Sequence, residues 1–93
     1  MAELLSEDDI VSRLEGSQWR REGNEIVRDF EFKDFAEAMA FVNRVAEAAE
    51  ETNHHPDIFV HGWNKVRLSL TNHSAGGLTD ADFEMAGRID TLE

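Results

Sequence analysis

The period at which apolar residues recur changes several times along the chain, and each change marks a new element. Ser6-Glu7-Asp8-Asp9 opens the first: the hydroxyl can cap a helical turn, and the acidic residues favour the positive end of the helix dipole. Ile10, Val11 and Leu14 then form an apolar stripe and Gly16 can end it, so a short amphipathic helix is predicted over 6–15. From Trp19 the texture becomes Trp19-Arg20-Arg21-Glu22, a Gly23-Asn24 turn, then Glu25 to Phe32 with Ile26, Phe30 and Phe32 on one face at period two. That is a β-hairpin. Arg28 falls on the same apolar face, so it must lie at a sheet edge or find a partner.

Asp34 followed by Glu37 resembles a capping box, and Phe35 to Asn53 contains neither glycine nor proline. Phe35, Ala38, Met39, Phe41, Val42, Val45, Ala46 and Ala49 recur at helical spacing, which predicts the longest helix. Pro56 sets its limit, because the residue before a proline is pushed out of the α region. Ile58 to Trp63 and Lys65 to Thr71 read as two more strands joined near Gly62-Trp63-Asn64. A loop, Asn72-His73-Ser74-Ala75-Gly76-Gly77, leads to Thr79-Asp80-Ala81-Asp82, a third capping-box-like start, with Phe83, Ala86, Ile89 and Leu92 on one stripe. The order is α-ββ-α-ββ-α. Two hairpins can assemble into a four-stranded antiparallel sheet with one apolar face, covered on that face by the three helices: an α+β two-layer fold. The second sheet face and the free edge strands are then available for subunit pairing.

Length and composition narrow the picture. At 93 residues the chain is expected to be one domain over 1–93, since two cores would leave neither half enough buried surface. There is no cysteine, hence no disulfide framework and no thiolate metal site. A small core without such staples makes oligomerisation an expectation. Twenty acidic residues against nine basic ones give a formal charge of -11, which disfavours nucleic-acid and anionic membrane partners. Arginine outnumbers lysine, only Lys33 and Lys65 being the latter, a balance that suits a well-hydrated acidic surface. No leader-like or membrane-spanning segment is read at the N-terminus or elsewhere, which implies a cytoplasmic protein.

Histidine is the one side chain whose ordinary pKa lies near neutrality, and His54, His55, His61 and His73 fall within twenty residues. His54 and His55 are expected at the C-terminal end of the long helix and His73 in the loop after the last strand, both places where working residues are commonly held. His61 lies within a strand and is the least favoured member. Each has a plainer explanation. His54 and His55 can cap the helix carbonyls, and His73 can be a solvated loop residue. Asp82 can serve only the capping box, and Glu50 can face solvent. Metal binding is disfavoured, because adjacent helical residues point about a hundred degrees apart and no HExxH arrangement occurs. Nucleophilic and nucleotide chemistry have no support: there is no cysteine, G-x-S-x-G, P-loop or G-x-G-x-x-G.

Glu50-x-x-x-His54-His55-Pro56, then Asn64-Lys65-Val66, His73 and Gly77-Leu78-Thr79-x-x-Asp82 resemble, in order and spacing, the pterin-4a-carbinolamine dehydratases. The resemblance extends to Trp19 and to Phe30-x-Phe32-x-Asp34-Phe35 and so covers most of the chain, with His-His-Pro its most specific step. It implies a four-stranded antiparallel sheet with three helices on one side. The implied reaction is loss of water from 4a-hydroxytetrahydropterin to give quinonoid dihydropterin, with a pterin as the small-molecule substrate and no cofactor. His54, His55 and His73 would line the site, with His54 and His73 as the acid/base pair, and Asp82 would orient or charge-stabilise a histidine. Glu50 and Asn53 would bond the pterin's polar edge, with Pro56, Asn72, Ser74 and Ala75 completing the substrate-binding set. A homodimer or homotetramer is expected. Ile58 stands where family members often carry an aromatic residue and Ala75 where they often carry cysteine, departures that touch pocket packing but no proton-transfer group. Two other roles are compatible with the same resemblance: a non-catalytic binding or dimerisation module, and a pterin-related task in molybdopterin metabolism.

Overall fold

The computed structural model describes residues 3–93; Met1 and Ala2, which belong to the single domain expected over 1–93, lie outside the described residues. The elements are α1 (Glu7–Leu14), β1 (Arg20–Glu22), β2 (Glu25–Glu31), α2 (Phe35–Thr52), β3 (Asp57–His61), β4 (Lys65–Leu70) and α3 (Asp80–Asp90). This is the α-ββ-α-ββ-α order read from the sequence, with boundaries shifted by one or two residues. Ser6 caps α1 through the Asp9 N–H, and Asp34 caps α2 through the Glu37 N–H.

The strands form one antiparallel sheet in the order β1-β2-β4-β3, so each hairpin contributes one inner and one edge strand. The register sets Ile26 against Leu70, Phe30 against Val66 and Val60 against Val66, so these side chains share a face. Ile26, Phe30, Val66, Leu68 and Leu70 merge there with Ile10 of α1, Phe41 and Val45 of α2, and Met85 and Ile89 of α3 in one core. The three helices thus cover a single face.

The stripes differ from the pattern in detail. Val11 and Phe35 are exposed, at 58% and 54%, because α1 reaches the core mainly through Ile10 and α2 does so only from Ala38 onward. Ala46 is exposed while Ala48 is buried, and Met85 joins the α3 stripe. Leu92, expected on that stripe, lies beyond the end of α3.

Arg28 takes the second of its two options. It lies on an inner strand, is 5% exposed, and is matched by acceptors from the chain's end. Its guanidinium donates to Asp90 at 2.5 Å, Glu93 at 2.6 Å and Gln18 at 2.7 Å, and stands 4.3 Å from the Phe30 ring centroid. Trp19 Nε1 donates to the same Asp90 carboxylate at 2.9 Å, so one cluster ties the start of the sheet to the end of α3. The buried cation is thereby paired rather than stranded.

On the opposite face Asp29 accepts from Arg67 at 2.7 Å and Arg20 at 2.9 Å across three neighbouring strands. The hydrogen-bonded Arg67 guanidinium, with Arg20 beside it, holds the Asp29 carboxyl below the usual carboxylate range. Ile58 and Phe59, on alternate faces of edge strand β3, and Trp63 in the turn that follows it are exposed.

Two outcomes follow. Arg28→Ala removes the buried cation from acceptors that can partly rehydrate, and urea unfolding is expected to show a loss of roughly 2–4 kcal/mol, near the range for a broken buried pair; a loss below about 0.5 kcal/mol, as for an ordinary surface change, would contradict the pairing. Because the folded Asp29 pKa is depressed, its stabilisation is present above the unfolded value and is lost as pH falls through the folded one. A carboxyl-carbon NMR titration should therefore place the Asp29 midpoint below that of an aspartate with no arginine partner, and Arg67→Ala should raise it.

Candidate active site

The end of α2 determines how its histidines are presented. Asn53 adopts a left-handed conformation at φ 52°, which asparagine tolerates better than most residues. The chain turns sharply, and the N–H groups of Asn53 and His54 both return to the Ala49 carbonyl, satisfying the helix terminus. His54 and His55 therefore stand at the C-terminal end of the long helix, as expected, one and two residues beyond its cap. They also diverge. The His54 side chain is only 16% exposed and points inward, while that of His55 is 55% exposed and its Nε2 meets the Glu50 carboxylate at 2.5 Å.

Beneath His54 lies Asp82, with no exposed surface. Its Oδ1 is 2.6 Å from His54 Nε2. Its Oδ2 accepts from the Thr79 N–H at 2.8 Å and from the Thr79 hydroxyl at 3.3 Å. The carboxylate thus completes the N-terminal box of α3 with one oxygen and holds the histidine with the other. Asp82 therefore makes the capping contact and the histidine contact at once, because a carboxylate has two oxygens.

His73 arrives on the loop between β4 and α3. The N–H groups of Gly76 and Gly77 both donate to the Asn72 carbonyl, the Asn72 N–H donates to the Gly77 carbonyl, and the Ala75 N–H donates to Asn72 Oδ1 at 2.9 Å. The closure uses a left-handed residue, supplied by Gly76 at φ 80°, and at Gly77 a Cβ would press on the exposed Leu4 side chain at 3.1 Å. His73 and Ser74 are exposed at the tip.

Asn53, His54, His55, Thr71, Asn72, His73 and Ser74 line one open hollow of about 360 Å³. Three histidines from two separate loops thus border the same space, within the size range of small-molecule sites. A larger cleft of about 470 Å³ between the end of α1 and α3 contains no histidine, so size alone does not single out the chemistry. Ala75 acts through its backbone in the loop closure, Pro56 is half-buried outside the lining, and Glu50 is engaged by His55 at the surface. His61 lies on the far face of the sheet, stacked on Phe59 with ring centroids 4.8 Å apart and away from the other three. Among the described residues no group of three histidine or carboxylate side chains is arranged to hold a metal ion, and no helix is long and apolar enough to cross a membrane.

Thr71 was not foreseen in the lining; its hydroxyl donates to the Asn24 carbonyl at 2.6 Å, so its one proton is already committed. A second hollow of about 220 Å³, lined by Thr52, Ala81, Glu84, Met85 and Arg88, borders His54 from the other side. No spacing signal marks it, since its lining is shared between the end of α2 and α3.

The comparisons with known proteins point one way. The sequence profile described as pterin 4 alpha carbinolamine dehydratase matches residues 3–92. Relatives bearing the name "Putative pterin-4-alpha-carbinolamine dehydratase" include one from Picosynechococcus sp., 46% identical over 99% of this chain and 100% of its own. Another, from Roseiflexus sp., is 50% identical over 99% of both chains. Among solved structures, a transcriptional coactivator/pterin dehydratase from Brucella melitensis superposes with a TM-score of 0.88 at 33% identity, covering 95% of this chain and 96% of that one. A pterin dehydratase-like protein identified as a RuBisCO assembly factor in the alpha-carboxysome gives 0.68 at 31% identity, over 81% and 88%. By profile, full-length relatives and fold together, the chain belongs to the pterin-4a-carbinolamine dehydratase family.

Proposed function

We propose that this chain, acting as one domain over 1–93, removes water from 4a-hydroxytetrahydrobiopterin to give quinonoid dihydropterin in tetrahydrobiopterin recycling. The observation that carries the reading is the convergence of His54, His55 and His73 on one hollow, with a buried carboxylate behind the first. The reaction breaks the C4a–oxygen bond and forms a C=N bond. One group must protonate the departing hydroxyl, another must take the proton from the ring nitrogen, and the nitrogen lone pair supplies the electrons. Imidazoles can do both near neutral pH. His54 and His73 form the acid/base pair, His55 borders the substrate, and Asp82 holds His54. Asn53, Asn72 and Ser74 offer polar contacts around the hollow; Pro56 and Ala75 shape its loops, and Glu50 reaches the pterin edge through or beside His55. The chemistry asks for no cofactor. The protein works in the cytoplasm as a homodimer or homotetramer, for which the exposed Ile58, Phe59 and Trp63 on the free β3 edge offer a surface.

A second reading draws on the neighbour named as a RuBisCO assembly factor: the same fold can serve as a binding module. A task in molybdopterin metabolism is a third. A direct assay of water loss from a 4a-hydroxypterin separates catalysis from binding alone.

His54→Gln, which leaves Asp82 a hydrogen-bond partner, and His73→Ala are each expected to lower kcat by about 10²- to 10⁴-fold with an unchanged circular dichroism spectrum. Wild-type rates in both would sink the assignment. Asp82→Asn should reduce kcat by a factor on the order of 10² or more, because an amide NH₂ facing Nε2 reverses the proton preference of the ring. Light scattering should give a solution mass of two or four chains, and Phe59→Glu should lower it; a wild-type monomer contradicts the assembly.

A further inference from the structure

Asp82 divides its two oxygens between partners of different kinds, and this gives the residue on the far side of the carboxylate a role that helix capping alone does not explain. Thr79 is 1% exposed and Asp82 wholly buried. The Thr79 N–H and hydroxyl both reach Asp82 Oδ2, at 2.8 and 3.3 Å, from the residue that begins α3. Two donors on one oxygen fix the rotation of the carboxylate plane. The other oxygen is then aimed at His54 Nε2, 2.6 Å away. A carboxylate is acceptor-only, so the proton in that contact belongs to the ring, and the neutral imidazole is the Nε2–H tautomer. Nδ1 is left as the ring nitrogen away from the carboxylate, on a residue that borders the same hollow as His73.

We infer that Thr79 is a positioning residue, which orients the Asp82 carboxylate and through it fixes His54 as the Nε2–H tautomer with Nδ1 as its working atom. The inference rests on the dehydratase reading for its catalytic consequence but not for its structural content. A capping threonine with no further duty would affect only the stability of α3. A positioning threonine also controls where a proton sits two links away, because Thr79, Asp82 and His54 form one unbroken chain of hydrogen bonds.

The test is the ring-nitrogen ¹⁵N spectrum of His54 in the intact protein, assigned by its loss in His54→Gln, above the pH at which the ring protonates. Wild-type protein is expected to show a protonated Nε2 and an unprotonated Nδ1. Thr79→Val, which keeps shape and removes the hydroxyl, should shift the ring toward a mixture of tautomers, and Thr79→Ser should restore the wild-type pattern. In the water-loss assay Thr79→Val should lower kcat on the order of tenfold with KM changed less than about twofold, a part of what a positioned acid/base group contributes. A wild-type ring protonated at Nδ1 overturns the inference without any variant, so poor folding of Thr79→Val cannot rescue it. So does a folded Thr79→Val with wild-type nitrogen shifts. If the nitrogen shifts respond as expected while the wild-type protein shows no water loss at all, the positioning role stands and the dehydratase reading falls.

Discussion

A carboxylate without exposed surface, shared between a helix start and an imidazole, is the constraint around which the rest of the molecule is arranged. Burying Asp82 costs several kcal/mol unless every lone pair that faces the interior finds a donor. Thr79 supplies two donors and His54 a third. The demand is mutual. Asp82 needs α3 to begin at Thr79, and His54 needs α2 to end so that its ring faces inward. Two helices that meet the same face of the sheet are thereby locked at the site through polar contacts as well as through the apolar core.

The sheet is what brings these pieces within reach. β3 and β4 are antiparallel neighbours, so the loop that enters β3 and the loop that leaves β4 emerge at the same end. His54 and His55 lie on the first and His73 on the second, which is why residues nearly twenty positions apart border one hollow. Each loop is held by its own backbone: a left-handed Asn53 on one side and the Asn72–Gly77 closure on the other. The opposite end of the sequence is tied down by Arg28, whose buried charge gathers Gln18, Asp90 and Glu93 beside Trp19. Support far from the hollow and small, well-closed loops around it are what the proposed proton transfer would require.

Most of the architecture could be read from periodicity, because three capping patterns, one turn and two alternating runs each acted over a short distance. Arg28 shows how far such reading goes: its placement on an apolar face demanded an edge or a partner, but its two carboxylate partners come from residues more than sixty positions away. Val11 and Phe35 fit their stripes and are nevertheless exposed, since period alone does not say where a helix first touches the sheet. At the site, the histidines were legible as a concentration of one residue type. Their divergence was expected of adjacent helical positions, but its origin was not, because both residues follow the left-handed Asn53, a conformation that no local signal compels. Asp82 was ambiguous between cap and histidine partner for a physical reason: the same carboxylate serves both, and only three-dimensional contact distinguishes one oxygen from the other.

The claim at the centre is that a flat bicyclic heterocycle is held where the three imidazoles meet. A crystal structure with a non-reactive reduced-pterin analogue tests it most directly. Analogue density between the two loops, with its ring edge within hydrogen-bond reach of His54 Nδ1 and of His73, is the predicted result. An analogue seated instead in the cleft between α1 and α3, or a hollow that stays empty at saturating analogue, would contradict it.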